Sequence, residues 1–197
     1  MKRLALAILG LVVAFGSIRF YHVYQYSSPT PDEAVSNYIL RVAIASDSPQ
    51  KVESIKVVSA IASDRRVGQQ TLLFQAREQG SQIHIAGYVI LKKSLFGWYV
   101  EKLQMVGRSL LPDDVMASLD WSEGAPVIFG QVFLARAASV EAIFSDPNKG
   151  SVTTSAEIPE GNFVLFGPRY GELIMFKILD MNGNVLKKFT AEELQNG

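Results

Sequence analysis

An apolar run near the N-terminal end constrains this chain most, because it decides in which compartment the remaining residues fold. Residues 4–18 are almost entirely apolar, and Lys2 and Arg3 precede them. Cationic flanks tend to stay on the cytoplasmic side of a membrane. We therefore expect the chain that follows the run to be exported.

Two interpretations of this segment stay open. A cleaved signal peptide needs an apolar core of about 7–15 residues, which residues 4–13 supply, and a small-x-small site, which residues 14–16 supply before Ser17. A retained helix needs about 20 residues to span the hydrocarbon, which residues 4–24 supply if Arg19 and His22 lie near the outer interface. Aromatic residues that suit the headgroup level follow the run: Phe20, Tyr21, Tyr24 and Tyr26. We predict a single-pass anchor in residues 1–26 that contacts the lipid bilayer and leaves the rest of the chain outside the cell membrane.

Composition limits the chemistry of the exported part. The chain has 197 residues and no cysteine. Three of its 19 basic residues lie in residues 1–26, which leaves 16 basic against 19 acidic residues in the exported part. This slight acidic excess argues against a nucleic-acid partner. Without cysteine, disulfides, thiolate nucleophiles and zinc–thiolate sites are excluded, so packing must stabilise the fold.

Residues 27–107 predict an α+β domain that begins with a helix. Thr30 and Glu33 have the spacing of a capping box, and Pro31 occupies the first helical position. Apolar side chains then recur at helical spacing over about three turns. Residues 54–62 favour a strand, although a short helix over part of them stays open.

Alternating polarity predicts three further strands, over residues 71–78, 82–92 and 98–106. The middle strand places apolar residues on both of its faces. Ile83, Ile85, Val89 and Leu91 share one face, and His84, Ala86, Tyr88 and Ile90 share the other. Turn signals separate the strands, so we predict an antiparallel meander whose apolar face is covered by the helix.

The rest of the chain predicts a linker and an all-β domain. Residues 108–125 break the alternation, and residues 111–119 suit one helical turn. Six short apolar segments separated by turn formers then fill residues 126–197, where Asn182 and Gly183 form a strong hairpin signal. We predict a small Ig-like β-sandwich in this part.

No residue is predicted to be catalytic, to bind a cofactor or to ligate a metal. His84 has no evident triad partners, and no nucleophile motif surrounds a serine. The densest acidic group suits either Ca²⁺ or a solvated linker, and we favour the linker: Asp113, Asp114, Asp120 and Glu123. Residues 180–184 resemble a calcium loop but lack its alternating ligands, which favours a hairpin turn.

Four large apolar residues around one turn are the candidate partner surface: Leu95, Phe96, Trp98 and Tyr99. They form either core beneath the helix or an exposed patch for a protein partner. Two basic doublets stand elsewhere on the predicted strands and turns, at Arg65-Arg66 and at Lys92-Lys93. Each doublet suits a solvated position or a weak contact with anionic lipid.

Two stretches resemble known proteins. Residues 92–104, KKSLFGWYVEKLQ, resemble a hairpin of small membrane-anchored extracytoplasmic proteins of Gram-positive bacteria. Residues 161–186, GNFVLFGPRYGELIMFKILDMNGNVL, are similar to a small Ig-like extracytoplasmic module. Those bacterial proteins share a short N-terminal anchor and an α+β ectodomain and are mostly uncharacterised. The resemblance implies location and architecture and supplies no catalytic residue.

Three functional hypotheses follow. The first is a membrane-tethered extracytoplasmic protein that acts by binding, in envelope assembly, in sensing or with another membrane or cell-envelope protein. The second is an envelope enzyme whose carboxylates are brought together by the fold. The third is a small-ligand binder with a pocket between the helix and the curved sheet, lined by Tyr38, Phe74 and Tyr88.

Overall fold

The structure is a computed structural model. It describes residues 17–18, 20–21, 23–45, 52–61, 68–78, 83–109, 114–122 and 124–196. Within these ranges the chain is mostly antiparallel β-sheet with few helices. The predicted anchor lies largely outside them, and no helix among the described residues is long and apolar enough to cross a membrane.

Helix α1 (Pro31–Ala45) forms the first layer of the fold. Thr30 caps its start, because the Oγ1 atom of Thr30 accepts a hydrogen bond from the backbone N–H of Glu33 at 3.3 Å. Ala34, Val35 and Ile39 of this helix are buried against the sheet below. The predicted helix and its start are confirmed.

The second layer is a four-stranded antiparallel meander. Its strands, in spatial order, are β1 (Val52–Ile61), β2 (Gln69–Glu78), β3 (Ile83–Ser94) and β4 (Gly97–Ser109). The predicted meander is confirmed, and the helical alternative for residues 54–62 is wrong over the part that β1 covers. Strand β3 alternates as predicted, with Val89 and Leu91 on the helix side and Tyr88 and Ile90 on the opposite side.

Seven strands form two more sheets. The sheet nearer the meander has the order β5 (Val115–Ser122), β6 (Ala125–Val132) and β9 (Asn162–Phe166). The outer sheet has the order β11 (Val185–Phe189), β10 (Leu173–Asp180), β7 (Ala137–Asp146) and β8 (Gly150–Glu157). A short helix, α2 (Ala191–Asn196), follows β11 and buries Leu194 in the core between these two sheets.

The prediction for the segment before β6 is corrected by the structure. The helical turn expected over residues 111–119 is wrong where the structure describes it, because residues 115–119 lie in β5 and pair with β6. Val115, Ala117 and Leu119 alternate at strand spacing and face the core between the two C-terminal sheets. The predicted linker therefore contains a strand.

Three hydrophobic cores hold these elements in four layers. One core lies between α1 and the meander, and another fills the space between the two C-terminal sheets. The remaining core, called the seam below, lies between the other face of the meander and the sheet β5–β6–β9. The seam consists of Leu73, Tyr88, Ile90, Val127, Phe129 and Val164. Six buried side chains of this size contribute on the order of 10 kcal/mol of burial free energy before conformational entropy is subtracted.

The seam explains why two strands are buried on both faces. Residues 85–91 of β3 are all buried, and β6 is buried from Pro126 to Val132. We predicted only the helix-covered face of the meander as core, so the second covered face is new. The division into domains at residues 27–107 and 126–197 stays a prediction.

Candidate functional site

The end of the predicted anchor docks beside the tip of the β3–β4 hairpin. Residues 23–26 are helical, and the chain leaves this helix through Ser27 and Ser28. The backbone N–H of Ser28 donates to the carbonyl of Trp98, and the N–H of Trp98 donates to the carbonyl of Ser28, both at 2.8 Å. Ser28 is only 4 % exposed. The segment between the predicted anchor and α1 is therefore part of the fold.

Aromatic rings of the same segment pack against the hairpin tip. The ring of Phe96 lies edge-on to the ring of Phe20, with centroids 5.0 Å apart, and edge-on to the ring of Tyr24 at 5.2 Å. Phe20 and Tyr24 are four residues apart, so they share one face of a helix. Each edge-to-face pair contributes about 0.5–1.5 kcal/mol beyond the area it buries. The hairpin tip thus lies at the level of residues 20–24.

Helix α1 holds this segment from a second side. The Nδ2 atom of Asn37 donates to the Oγ atom of Ser28 at 3.2 Å. The guanidinium of Arg41 lies 4.7 Å from the centroid of the Tyr26 ring and donates to the carbonyl of Gln25 at 3.5 Å. Together, α1 and the hairpin tip fix the direction in which residues 20–28 leave the domain.

Gly97 makes the close approach of Ser28 feasible. Its φ angle is +122°, a conformation that side chains other than glycine rarely adopt. A β-carbon at this position would lie 2.3 Å from the carbonyl oxygen of Ser28. The predicted strands at residues 82–92 and 98–106 imply a turn that includes Gly97, but its contact with Ser28 is not visible in the sequence, because the two residues are far apart along the chain.

The structure divides the candidate partner surface in two. Leu95 is 97 % exposed at the turn, and Phe96 is 37 % exposed beside Phe20. Trp98 and Tyr99 are half-buried, and Trp98 packs against the core beneath α1. The exposed part of the surface is therefore Leu95 and one edge of Phe96. That any of it binds a protein partner stays a prediction.

The two lysines of the doublet beside this turn make different contacts. Lys92 forms an ion pair with Glu101 across the hairpin. The side chain of Lys93 is exposed, and its Nζ atom lies 5.8 Å from the centroid of the Trp98 ring. The second doublet, Arg65-Arg66, lies outside the described residues.

A polar cluster lies at one edge of the seam. The buried hydroxyl of Tyr88 donates to the Oδ2 atom of Asp120 at 3.1 Å. The Nζ atom of Lys102 donates to the same oxygen at 2.6 Å and to the carbonyl of Trp121 at 2.7 Å. These contacts join β3 and β4 of the meander to β5 of the next layer.

The pKa values of Tyr88 and Asp120 are shifted in opposite directions. Burial, together with the charge of Asp120, raises the pKa of Tyr88 well above its ordinary value. Burial alone would raise the pKa of Asp120, but hydrogen bonds from Lys102, from the N–H of Trp121 and from Tyr88 lower it below its ordinary value. Tyr88 therefore keeps its proton and Asp120 its charge near neutral pH, so the pair suits a structural contact and not proton transfer.

Another polar cluster bridges the same layers through Glu160. The carboxylate of Glu160 accepts hydrogen bonds from the Nζ atom of Lys56 at 2.7 and 2.8 Å and from the Nε2 atom of Gln75 at 3.4 Å. Gln75 in turn accepts a hydrogen bond from the Nε2 atom of Gln131 at 3.4 Å. The buried oxygens Oε1 of Gln131 and Oδ1 of Asn162 have no hydrogen-bond partner among the described residues.

The acidic group of the sequence is separated by the fold. Asp114 pairs with Lys187 at 3.0 Å, and Asp120 pairs with Lys102 at 2.6 Å. Six residues along an extended chain place these two carboxylates about 20 Å apart along the strand. In the part of the chain that the structure describes, no three His, Cys, Asp or Glu residues are grouped as a metal site. Asp113 and Glu123 lie outside that part.

Residues 180–184 form the hairpin turn between β10 and β11, as predicted. The carboxylate of Asp180 accepts hydrogen bonds from the backbone N–H groups of Asn182 and Asn184, both at 2.8 Å, and from the Nδ2 atom of Asn184 at 3.0 Å. These hydrogen bonds lower the pKa of Asp180, the one from the Asn184 side chain most and those from the backbone N–H groups less. The carboxylate oxygens are thus engaged in closing the turn.

His84 packs against a neighbouring ring. Its imidazole lies edge-on to Phe133, with centroids 5.9 Å apart. Burial lowers the pKa of His84, and the nearby charge of Arg77 lowers it further. That His84 has no catalytic role stays a prediction.

The pocket expected between helix and sheet is not lined as predicted. Tyr38 and Phe74 belong to the core beneath α1, whereas Tyr88 faces the seam on the opposite side of the meander. The Phe74 ring covers Gly87, where a β-carbon would lie 2.7 Å from its Cζ atom. An open depression of about 640 Å³ lies elsewhere, on the C-terminal sandwich. Its lining residues are Ala138, Ser139, Glu157, Ile158, Pro159, Asp180, Met181 and Gly183.

Comparisons with known proteins add no relative. No protein-family model, curated protein or solved structure matches this chain.

Proposed function

We propose that this chain is a membrane-tethered extracytoplasmic interaction protein of the bacterial envelope, with residues 4–24 as a single-pass anchor. The observation that carries the proposal is the docking of residues 20–28 onto the hairpin tip and α1. The Ser28–Trp98 bridge lies directly beyond the apolar run, so it would hold the folded domain at a fixed orientation close to the bilayer.

The order of the strands supports an interaction module in the C-terminal half. Counted from β5, the first, second and fifth strands form one sheet, and the third, fourth, sixth and seventh form the facing sheet. This division of seven antiparallel strands into two facing sheets resembles that of Ig-like sandwiches, an architecture that many cell-surface domains share. Fold alone does not assign function, so this support is by analogy.

The carboxylates in the described part favour binding over hydrolysis. Glu141 pairs with Lys177, Glu160 with Lys56, and Asp120 with Lys102. A glycoside hydrolase needs one carboxyl group with a raised pKa as its general acid. The hydrogen bonds to Asp120 lower its pKa instead. The enzyme hypothesis would therefore have to rest on other residues.

Cysteine labelling tests the orientation, because the chain has no cysteine of its own. Met181 is 86 % exposed in the β10–β11 turn, so Met181→Cys introduces a single accessible thiol without removing a buried side chain. We expect a membrane-impermeant maleimide to label it in intact bacteria as well as in lysed ones. Labelling that requires lysis would contradict the extracytoplasmic assignment.

Two further measurements complete the test. Mass spectrometry of the membrane fraction should recover a peptide that contains residues 4–18, whereas a mature chain that begins near Ser17 would exclude the anchor. A photo-crosslinking amino acid at Tyr170, which is 76 % exposed, should capture a specific envelope protein in intact cells. Recovery of no specific partner from this and other exposed positions would count against an interaction role.

A further inference from the structure

The tip of the β3–β4 hairpin carries an apolar residue where a turn ordinarily carries a polar one. Two-residue hairpin loops favour glycine, asparagine and aspartate, yet this loop consists of Leu95 and Phe96. The side chain of Leu95 is 97 % exposed. An isolated exposed leucine is ordinary, but this one adjoins other exposed apolar side chains.

Those side chains belong to the segment that leaves the proposed anchor. Ile18, Phe20, Tyr21 and Tyr24 are each about 60 % exposed or more, with values of 66, 59, 63 and 60 %. Phe96 touches two of them, because its ring packs edge-on against Phe20 and Tyr24. The hairpin tip and the aromatic segment thus form one exposed apolar surface at the same level of the molecule.

One basic side chain near this surface, that of Lys93, would suit a lipid headgroup layer. Lys93 is exposed two residues before Leu95 along β3, which places its backbone about 7 Å from that of Leu95. Apolar side chains of interfacial segments are buried about 5–10 Å into the boundary between headgroups and acyl chains. With Leu95 at that depth, the ammonium group of Lys93 would lie among the lipid phosphates.

We infer that the β3–β4 tip is a second membrane contact, in which Leu95 and Phe96 enter the outer bilayer interface and Lys93 contacts anionic headgroups. This inference rests on the proposed anchor, since the anchor brings the tip to the membrane. The protein then contacts the bilayer at two places, through the anchor and through the tip. The Ser28–Trp98 bridge keeps both at one level, so the four layers have a fixed orientation relative to the membrane.

Fluorescence at single cysteines tests the second contact in the full chain. Leu95→Cys and Met181→Cys are each labelled with NBD and reconstituted in phosphatidylcholine vesicles that contain phosphatidylglycerol as the minor lipid. Both positions are exposed, so neither change removes buried side chains, and circular dichroism verifies the fold. We expect a blue-shifted emission and slower quenching by aqueous iodide at position 95 than at position 181.

Flotation of the same samples separates the two proposals. A chain that floats with vesicles while position 95 is quenched as fast as position 181 has an anchor, and the tip inference is then wrong. A chain that does not float lacks the anchor, and both proposals are then wrong. In the Lys93→Gln variant, shielding of position 95 should no longer depend on phosphatidylglycerol. A dependence equal to that of the parent would overturn the assignment of Lys93.

Discussion

The hydroxyl of Tyr88 donates a hydrogen bond to the carboxylate of Asp120 across the seam, at a distance of 3.1 Å. The two residues belong to different layers and are 32 positions apart in the sequence. Tyr88 is fully buried, and its ring also lies edge-on to Phe129 with centroids 5.1 Å apart. One residue thus contributes apolar packing and a polar contact to the same interface.

Tyr88→Phe should lower the free energy of unfolding by about 2 kcal/mol, because it removes a buried hydrogen bond to a charged group while keeping the ring. Urea unfolding measures the change. Tyr170→Phe is the matched control, since Tyr170 is exposed, and it should change the free energy by less than about 0.5 kcal/mol. Equal effects of the two changes would mean that the Tyr88–Asp120 contact is not stabilising.

The carboxylate of Asp120 should make stability depend on pH in the acidic range. Its folded-state pKa lies below the ordinary value of 3.8, so its contribution is present above that value and is lost as the pH falls through the lower folded-state pKa. Asp120→Asn should therefore be less stable than the parent by about 1–3 kcal/mol at neutral pH, and the difference should shrink in acid. Unfolding at a series of pH values checks this.

Asp114→Asn serves as the control for the pH experiment. Asp114 also pairs with a lysine, but its side chain is 48 % exposed, against 26 % for Asp120. Exposed ion pairs contribute about 0–1 kcal/mol. A pH-dependent loss as large as that of Asp120→Asn would contradict a special role for the seam carboxylate.

Gly97→Ala should weaken the docking of Ser28 onto the hairpin tip. Its β-carbon would collide with the carbonyl oxygen of Ser28, in addition to the cost of about 1 kcal/mol for the left-handed conformation. Gly183→Ala is the control for a positive φ angle without a collision, because Gly183 has a φ angle of +81° and open space around it. Hydrogen exchange should show loss of protection at the amides of Ser28 and Trp98 in Gly97→Ala alone. Unchanged protection there would show that the bridge tolerates the side chain.

Phe129→Ala should destabilise the whole chain and not only its C-terminal half. Phe129 is 2 % exposed in the seam, so the cavity should cost about 3–5 kcal/mol. In the Trp121→Phe background, Trp98 is the remaining tryptophan. Because the seam joins the two predicted domains, unfolding followed by Trp98 fluorescence and by circular dichroism should show one coincident transition in this background. Ile174→Ala, at a position that is 49 % exposed, should cost less than about 1 kcal/mol. Two separated transitions in the parent would mean that the seam does not couple the domains.

A second helix cap of the same kind as that at Thr30 lies near the end of the chain. Thr190 and Glu193 form a reciprocal cap at the start of α2. The carboxylate of Glu193 accepts hydrogen bonds from the N–H and hydroxyl of Thr190, at 2.7 and 3.0 Å. This is the same spacing as that of Thr30 and Glu33 before α1, which the sequence did reveal. The signal was present at both places and was interpreted at one.

The sequence by itself determined the elements whose causes are local. The cap at Thr30, the alternation along β3 and the turn at Asn182-Gly183 depend on residues within a few positions of one another, so their spacing is visible in the chain. The apolar run before Phe20 is visible for the same reason. Tertiary structure alone decided which surfaces meet. The contacts of Ser28 with Trp98 and of Tyr88 with Asp120 join residues 70 and 32 positions apart. The apolar residues on both faces of β3 are visible in the sequence, but only the packing of complete sheets decides which strands cover the second face.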